Sequence, residues 1–304
     1  MSLAVSHPVS FTLGSRRLFG VQRHLVPLAF SLEDALSGSL PDIPDLRATD
    51  GLRILSAPNG LASHIIEQHP GWLIGGREDY PRAYIAMDGS FDDYLGKFSG
   101  KTRATFKRKR RRFEEAGGES FDLRSYSTPE ELRQFLALAL PLSRRTYQAR
   151  LLDAGLPEDP GALAQMMALA EGDRLRAFLL FLAGEPVAYL YLPVVGHTLV
   201  YAHLGYAPEH AALSPGTVLQ LAVLEQLFAE NRFHYFDFTE GGGAHKALFG
   251  TNSIACSSFL LLRPTLANRA LLGALTSFNA GVSAAKAVAR KTGAEALVRR
   301  ALRT

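Results

Sequence analysis

The order of apolar runs between Leu175 and Leu262 allows few folds. Three runs, Leu175–Leu182, 187–194 and 198–206, are rich in branched and aromatic residues. The turns between them contain Gly184-Glu185-Pro186 and Gly196-His197, which predicts an antiparallel meander. Next come Leu213-Ser214-Pro215-Gly216-Thr217 and an amphipathic helix whose apolar face is Val218, Leu221, Leu224 and Phe228. A strand over 233–238, the glycines 241–243, a short helix over 245–248 and a last strand over 253–262 complete the series. The order β-β-β-α-β-α-β passes from meander to crossover. That predicts an α+β fold with a mixed sheet flanked by helices.

The remainder of the chain is less regular. Residues 1–89 hold short mixed segments dense in Gly, Pro and Asp, with strand candidates at Leu52–Leu55 and 83–87. Ser90 and Asp93 have the spacing of a helix start, followed by Tyr94, Phe98, Phe106 and Phe113 with a break at Gly100. Thr128-Pro129-Glu130-Glu131 is a second start, with cap, proline and N3 glutamate in place. After Pro264, Leu271, Leu272, Leu275, Phe278 and Val282 lie on one helical face that turns basic towards the end. A length of 304 residues suggests two units. The expected division is an N-terminal lobe over 1–125, a catalytic domain over 126–263 and an amphipathic helical tail over 264–304.

One cysteine, Cys256, excludes an internal disulfide and a Cys-based metal site, and points to a reducing cytoplasm. The histidine spacings show no zincin pattern, so no metal is expected. The first residues lack a signal-peptide pattern, and no apolar stretch is long enough to span a bilayer. The net charge of +4 is uneven: 101–112 carries +8 and 285–304 carries +5, leaving −9 for the rest. Two basic patches on an acidic body attract phosphates, anionic lipid or nucleic acid. No helix-turn-helix pattern accompanies the run at 101–112, so no DNA partner is expected.

Four groups of residues could carry chemistry. Ser214 can cap a helix that starts with Pro215, so the N–H groups of Gly216 and Thr217 would face an anion; an ordinary capped helix is the plainer alternative. Asp237, Glu240, His245 and Lys246 surround a glycine-rich turn at a strand end, where a carboxylate or imidazole could accept a proton from an amine and Lys246 could hold a phosphate. No single base stands out among them. Tyr201 and His203 would share one strand face by alternation. Arg144, Tyr147 and Arg150 form a dense donor segment suited to an acidic or sugar-like ligand, or to a plain basic surface.

Together these motifs resemble the GNAT acyltransferases, most closely their Fem-like/CelD-type branch. The resemblance runs from about Leu95 to Leu262. It rests on the basic helix at 101–108, Ser-Arg-Arg-Thr-Tyr-Gln at 143–148, Gly-Glu-Pro-Val-Ala at 184–188, Gly205-Tyr206, Ser214-Pro215-Gly216 and Asp-Phe-Thr-Glu-Gly…His-Lys at 237–246. It implies two GNAT-like lobes and a thioester donor, acyl-CoA as co-substrate or an acyl carrier protein, with no tightly bound cofactor. The donor arm would lie between the strands at 198–206 and 233–238, with its pyrophosphate at Gly216 and Thr217. Residues 209–214 depart from the Q/R-x-x-G-x-G/A phosphate loop common in the family, and an aminoacyl-tRNA donor of the Fem type stays open. The implied acceptor is an amine of the cell envelope, an amino sugar or a sphingoid-base-like lipid amine, reached from the cytoplasm at an anionic membrane surface. The candidate catalytic residues are Glu240, His245, Asp237, Tyr201 and His203. A non-catalytic lipid- or nucleic-acid-binding protein is the alternative from another class.

Overall fold

The computed structural model describes residues 4–13, 16–43, 46–118, 121–146, 155–241 and 243–291. In chain order the elements are β1 (Val5–Leu13), β2 (Arg16–Ala29), α1 (Leu32–Ser37), β3 (Gly51–Pro58), α2 (Asn59–Glu67), β4 (Leu73–Ala86), α3 (Phe91–Gly96), α4 (Gly100–Ala116), β5 (Asp122–Tyr126), α5 (Pro129–Arg145) and α6 (Pro160–Glu171). They continue with β6 (Leu175–Leu182), β7 (Glu185–Val195), β8 (Thr198–Val200), β9 (His203–Tyr206), a 3-10 turn (Pro208–Leu213), α7 (Pro215–Glu230), β10 (Tyr235–Asp237), α8 (Ala244–Phe249), β11 (Asn252–Leu262) and α9 (Leu266–Lys291).

These elements form two compact units. The first comprises the described residues within 1–82, 240–242 and 254–304. Its strands lie in the order β1-β2-β3-β11-β4, with β2 parallel to β3 and β11 antiparallel to β3. Gly51 is required where β3 meets β11, because a Cβ there would stand 2.1 Å from the Leu261 carbonyl oxygen. Helices α1 and α2 cover a core of Val26, Leu28, Ile54, Ile65 and Leu261. Leu271, Leu272 and Leu275 of α9 pack with Val9, Phe11 and Leu25. The apolar side of the tail helix is therefore spent on this unit's own strands. This grouping crosses the divisions expected at 125/126 and 263/264, because β3 takes the late strand β11 as its partner and α9 folds back on β1. The basic residues beyond Lys291 lie outside the described residues.

The second unit comprises 83–239 and 243–253 and carries the expected meander. Here β10 lies between the end of β4, antiparallel, and β8, parallel. The order then runs β8-β7-β6-β5, all antiparallel, and β9 pairs with β7. Strand β7 is buried on both faces. Ala188, Leu190, Leu192 and Val194 join the core beneath α3, α4 and α7, while Tyr189 and Tyr191 join the core beneath α5 and α6. Helix α7 was expected to be amphipathic. It also buries Leu219, Gln220, Ala222, Val223 and Leu227, because β6, β7 and β9 lie on one side of it and α3 and α4 on the other.

The helix starts expected at Ser90/Asp93 and Thr128/Glu131 both form, each as a capping box. The expected single strand over 198–206 does not. It is interrupted at Tyr201-Ala202 and becomes β8 on β10 and β9 on β7.

Candidate active site

The interruption creates the site. Tyr201 N–H still donates to the Asp237 carbonyl at 2.9 Å. Beyond it the chain leaves β10, and among the described residues β9 pairs with β7 alone. The two strands part, and a cavity of about 460 Å³ lies beside the edge of β9. That volume is within the range of small-molecule sites. Its lining includes Tyr201, Leu204, Tyr206, Ser214, Gly216, Thr217, Gly243, His245 and Lys246.

One wall is the start of α7. Ser214 occupies the cap position but in left-handed backbone (φ 55°, ψ 46°), and its side chain makes no capping bond. Its carbonyl accepts from Thr217 N–H at 3.0 Å and from Val218 N–H at 3.1 Å. The expectation of two outward N–H groups is therefore corrected: Thr217 N–H is used locally, Pro215 has none, and Gly216 N–H is the donor left at the positive helix end. A Cβ on Gly216 would come within 3.3 Å of Leu204 Cδ2 and Tyr206 Cδ1, so the glycine lets α7 start directly against β9. Lys109 Nζ donates to Thr217 Oγ1 at 3.3 Å, and Lys246 lines the cavity. Together one open N–H and two cations suit a phosphate or diphosphate.

The opposite wall holds His245. Its Nε2–H donates to Gln220 Oε1, and Tyr201 Oη lies 3.3 Å from the same nitrogen. Its ring also packs 4.8 Å from Phe249. Burial, aided by the charges of Lys109 and Lys246, lowers its pKa to about 4. The imidazole is thus neutral near pH 7, and with Nε2 protonated the lone pair is on Nδ1. Burial pushes the Tyr201 phenol well above its usual range, so it stays protonated and can only donate or accept hydrogen bonds.

The other expected residues are elsewhere. Asp237 is buried and accepts from Thr239 N–H at 2.8 Å, holding the turn after β10 in which Thr239 takes positive φ. His203 falls on the opposite sheet face from Tyr201, 6.0 Å from the Tyr191 ring, because the irregular Tyr201-Ala202 step cancels simple alternation. Glu240 belongs to the other compact unit, within 3.4 Å of Ser258 Oγ, and is not among the cavity residues. Arg144 pairs with Glu158 on the surface and is likewise absent from the lining. Tyr147 and Arg150 lie outside the described residues. Ser143 turns inward to accept from Tyr189 Oη–H at 3.0 Å. Gly205 lets that tyrosine ring lie against β9, where a Cβ would meet it at 2.5 Å.

Two site residues escaped the sequence reading. Lys109 was one of eight cations in a run, yet it stands three residues after Phe106 and four before Phe113, so it must flank the buried stripe of α4. Gln220 is the one polar residue in the run Val218-Leu219-Gln220-Leu221-Ala222-Val223-Leu224. It is fully buried, and among the described residues its Nε2 has no partner.

The split strand, the helix start facing the gap and the mixed sheet define a GNAT-type acyltransferase fold. Residues 100–247 match the acetyltransferase (GNAT) domain family. Among solved structures, FemX aligns at 13% identity with a TM-score of 0.52, covering 86% of this chain and 89% of its own. A domain described as the C-terminal part of a lysylphosphatidylglycerol synthetase from Agrobacterium fabrum aligns at 12% identity with a TM-score of 0.50, covering 81% of this chain and 75% of its own. A search of curated proteins finds no match. Residues 100–247 thus carry a GNAT-type domain, in a chain whose fold is similar to that of FemX.

Proposed function

We propose that this protein is an N-acyltransferase that moves an acyl group from acyl-CoA to an amine of a cell-envelope acceptor, a sphingoid-base-like lipid amine or an amino sugar. The observation that carries this reading is the parting of β9 from β10 beside the uncapped start of α7, with Lys109 and Lys246 at that start. The amide-bearing arm of the donor would hydrogen-bond along the unpaired edge of β9 as an added strand does. Its diphosphate would meet Gly216 N–H and the two lysines.

The amine nitrogen attacks the thioester carbonyl, forming the C–N bond as the C–S bond breaks. His245 Nδ1 takes the amine proton and passes it to the leaving sulfur. Tyr201 Oη–H steadies the carbonyl oxygen as charge builds on it. A pKa of about 4 makes His245 by itself a weak base. Two of its causes are the charges of Lys109 and Lys246, and a bound diphosphate neutralises both. Donor binding therefore raises the basicity of the residue that must act next. An acyl-carrier-protein donor would use the same groups. The aminoacyl-tRNA reading draws on the cation-rich helix α4, whose Lys109 already reaches the site.

The test is thiol release from acetyl-CoA and a long-chain acyl-CoA with a panel of lipid amines and amino sugars. Amine-dependent release that disappears in His245→Gln supports the proposal. No release with any thioester, alongside aminoacyl transfer from charged tRNA, would replace it with the Fem-type reading.

A further inference from the structure

A second cavity, of about 510 Å³, lies in the corner between α3 and α4, and the acyltransfer reading gives it no task. Its apolar lining includes Leu95, Ala104 and Phe106. Phe106 is buried between Phe98 and Phe249 and forms a fixed aromatic floor. Arg103 and Lys107, one helical turn apart, stand exposed at the rim, and Asp92 is the single acid among the lining residues. Among the described residues, neither cation reaches a carboxylate. This sets them apart from Arg110 and Arg111 on the same helix, which are paired with Glu114, Glu225 and Glu115.

Lys101, Arg108 and Arg112 are also exposed, and among the described residues they are unpaired, so the outer side of α4 presents five cations with no counter-charge there. Both acids of the helix lie at its C-terminal end. An ordinary solvated helix interleaves its charges or pairs them at one-turn spacing. Unpaired cations around an apolar recess match a ligand that is anionic at one end and hydrocarbon at the other. A nucleic-acid backbone would meet the cations but has nothing to put against Leu95 and Phe106.

We propose that the α3–α4 corner is a docking site for an anionic phospholipid bilayer. Arg103 and Lys107 would hold a lipid phosphate, Leu95, Ala104 and Phe106 would take the adjoining hydrocarbon, and Lys101, Arg108 and Arg112 would lie over neighbouring headgroups. The inference stands on this corner alone and does not require that the protein transfer acyl groups.

The test is co-sedimentation of the full chain with vesicles of phosphatidylcholine, and of equal parts phosphatidylcholine and phosphatidylglycerol. Binding is expected only to the anionic vesicles. Arg103→Glu with Lys107→Glu should weaken it by about tenfold or more, since each cation near an anionic surface contributes comparably. Arg133→Glu with Arg269→Glu makes the same charge change at exposed sites elsewhere and should leave most of it. Ala104→Trp fills the recess without altering charge and should weaken binding several-fold. Equal loss in the two charge-reversed proteins would overturn the site in favour of net charge. Unchanged binding in Ala104→Trp would overturn the recess. Tighter binding of a structured RNA, lost in Arg103→Glu/Lys107→Glu, would overturn the lipid assignment.

Discussion

Two helices of the second unit begin with the same grammar, a hydroxyl residue followed by proline, and finish differently. At α5, Thr128 Oγ1 accepts from Glu131 N–H, and the Glu131 carboxylate accepts from the N–H groups of Thr128 and Ser127 at 2.9 and 2.8 Å. The helix supplies its own anion. At α7, the residue in the matching position is Thr217, the cap side chain is idle, and a lysine from α4 stands beside it. A positive helix end with added cations and no internal acid is poorly balanced by itself. The difference separates a helix start that serves stability from one that awaits an anionic ligand.

The largest effect expected from this contrast is on the chemistry beside the open start. His245→Gln should lower the turnover of an acyltransferase by roughly 10²–10⁴-fold, the usual share of a general base, while donor affinity changes little. The same residue makes the fold acid-sensitive. A histidine held at about 4, against the ordinary 6.5, binds its proton later in the folded than in the unfolded chain as pH falls. Stability is therefore full above about 6.5 and falls as pH drops towards 4, by about 3 kcal/mol from this group. Chemical denaturation at pH 7 and pH 4.5 should show that loss in the wild type and much less of it in His245→Gln.

Next in size is the conversion of one helix start into the other. Thr217→Glu places an acid at the third helical position, as in α5. It should hold or improve stability while lowering donor affinity by about a hundredfold, the equivalent of losing one charge-assisted contact and gaining a repulsion. Unchanged affinity would erase the distinction between the two starts.

Smaller again is the backbone approach. Gly216→Ala pushes Leu204 or Tyr206 by a few tenths of an ångström and should cost about 1 kcal/mol, read as a lower Tm together with weaker donor binding. The smallest effect lies on the closed side: Thr128→Ala should cost about 1 kcal/mol of stability and leave donor binding untouched. The Glu131 carboxyl is held below the usual range by the N–H groups of Thr128 and Ser127. Its contribution is present at neutral pH and is lost as acid reaches that lowered value.

Much of this second unit was legible in the sequence, since local rules suffice where neighbours in the chain are neighbours in space. The caps at Ser90 and Thr128 and the paired strands β6 and β7 are of that kind. The long strand β2 and the first part of β4 were missed because Pro27, Pro81 and the Gly75-Gly76 pair break the strand signal, and only the end of β4 was read, as the candidate at 83–87. The Tyr201-Ala202 interruption was invisible because Tyr201 follows strand composition while its backbone pairing is decided by β10, about 35 residues later. Glu240 and His245, five positions apart, were read as one cluster, yet the turn between them sends them to different units. Lys109 and Gln220 needed the tertiary contact of α4 with α7 to become distinguishable from a charged face and a core helix.

In the proposed function the gap between β9 and β10 takes a CoA-type donor at the uncapped start of α7. Calorimetric titration with CoA, acetyl-CoA and a long-chain acyl-CoA, on the wild type and on Lys109→Ala/Lys246→Ala, tests it most directly. Saturable binding to the wild type that is lost in the double variant is the predicted result. Absence of binding by any of the three, or binding indifferent to both lysines, would contradict it.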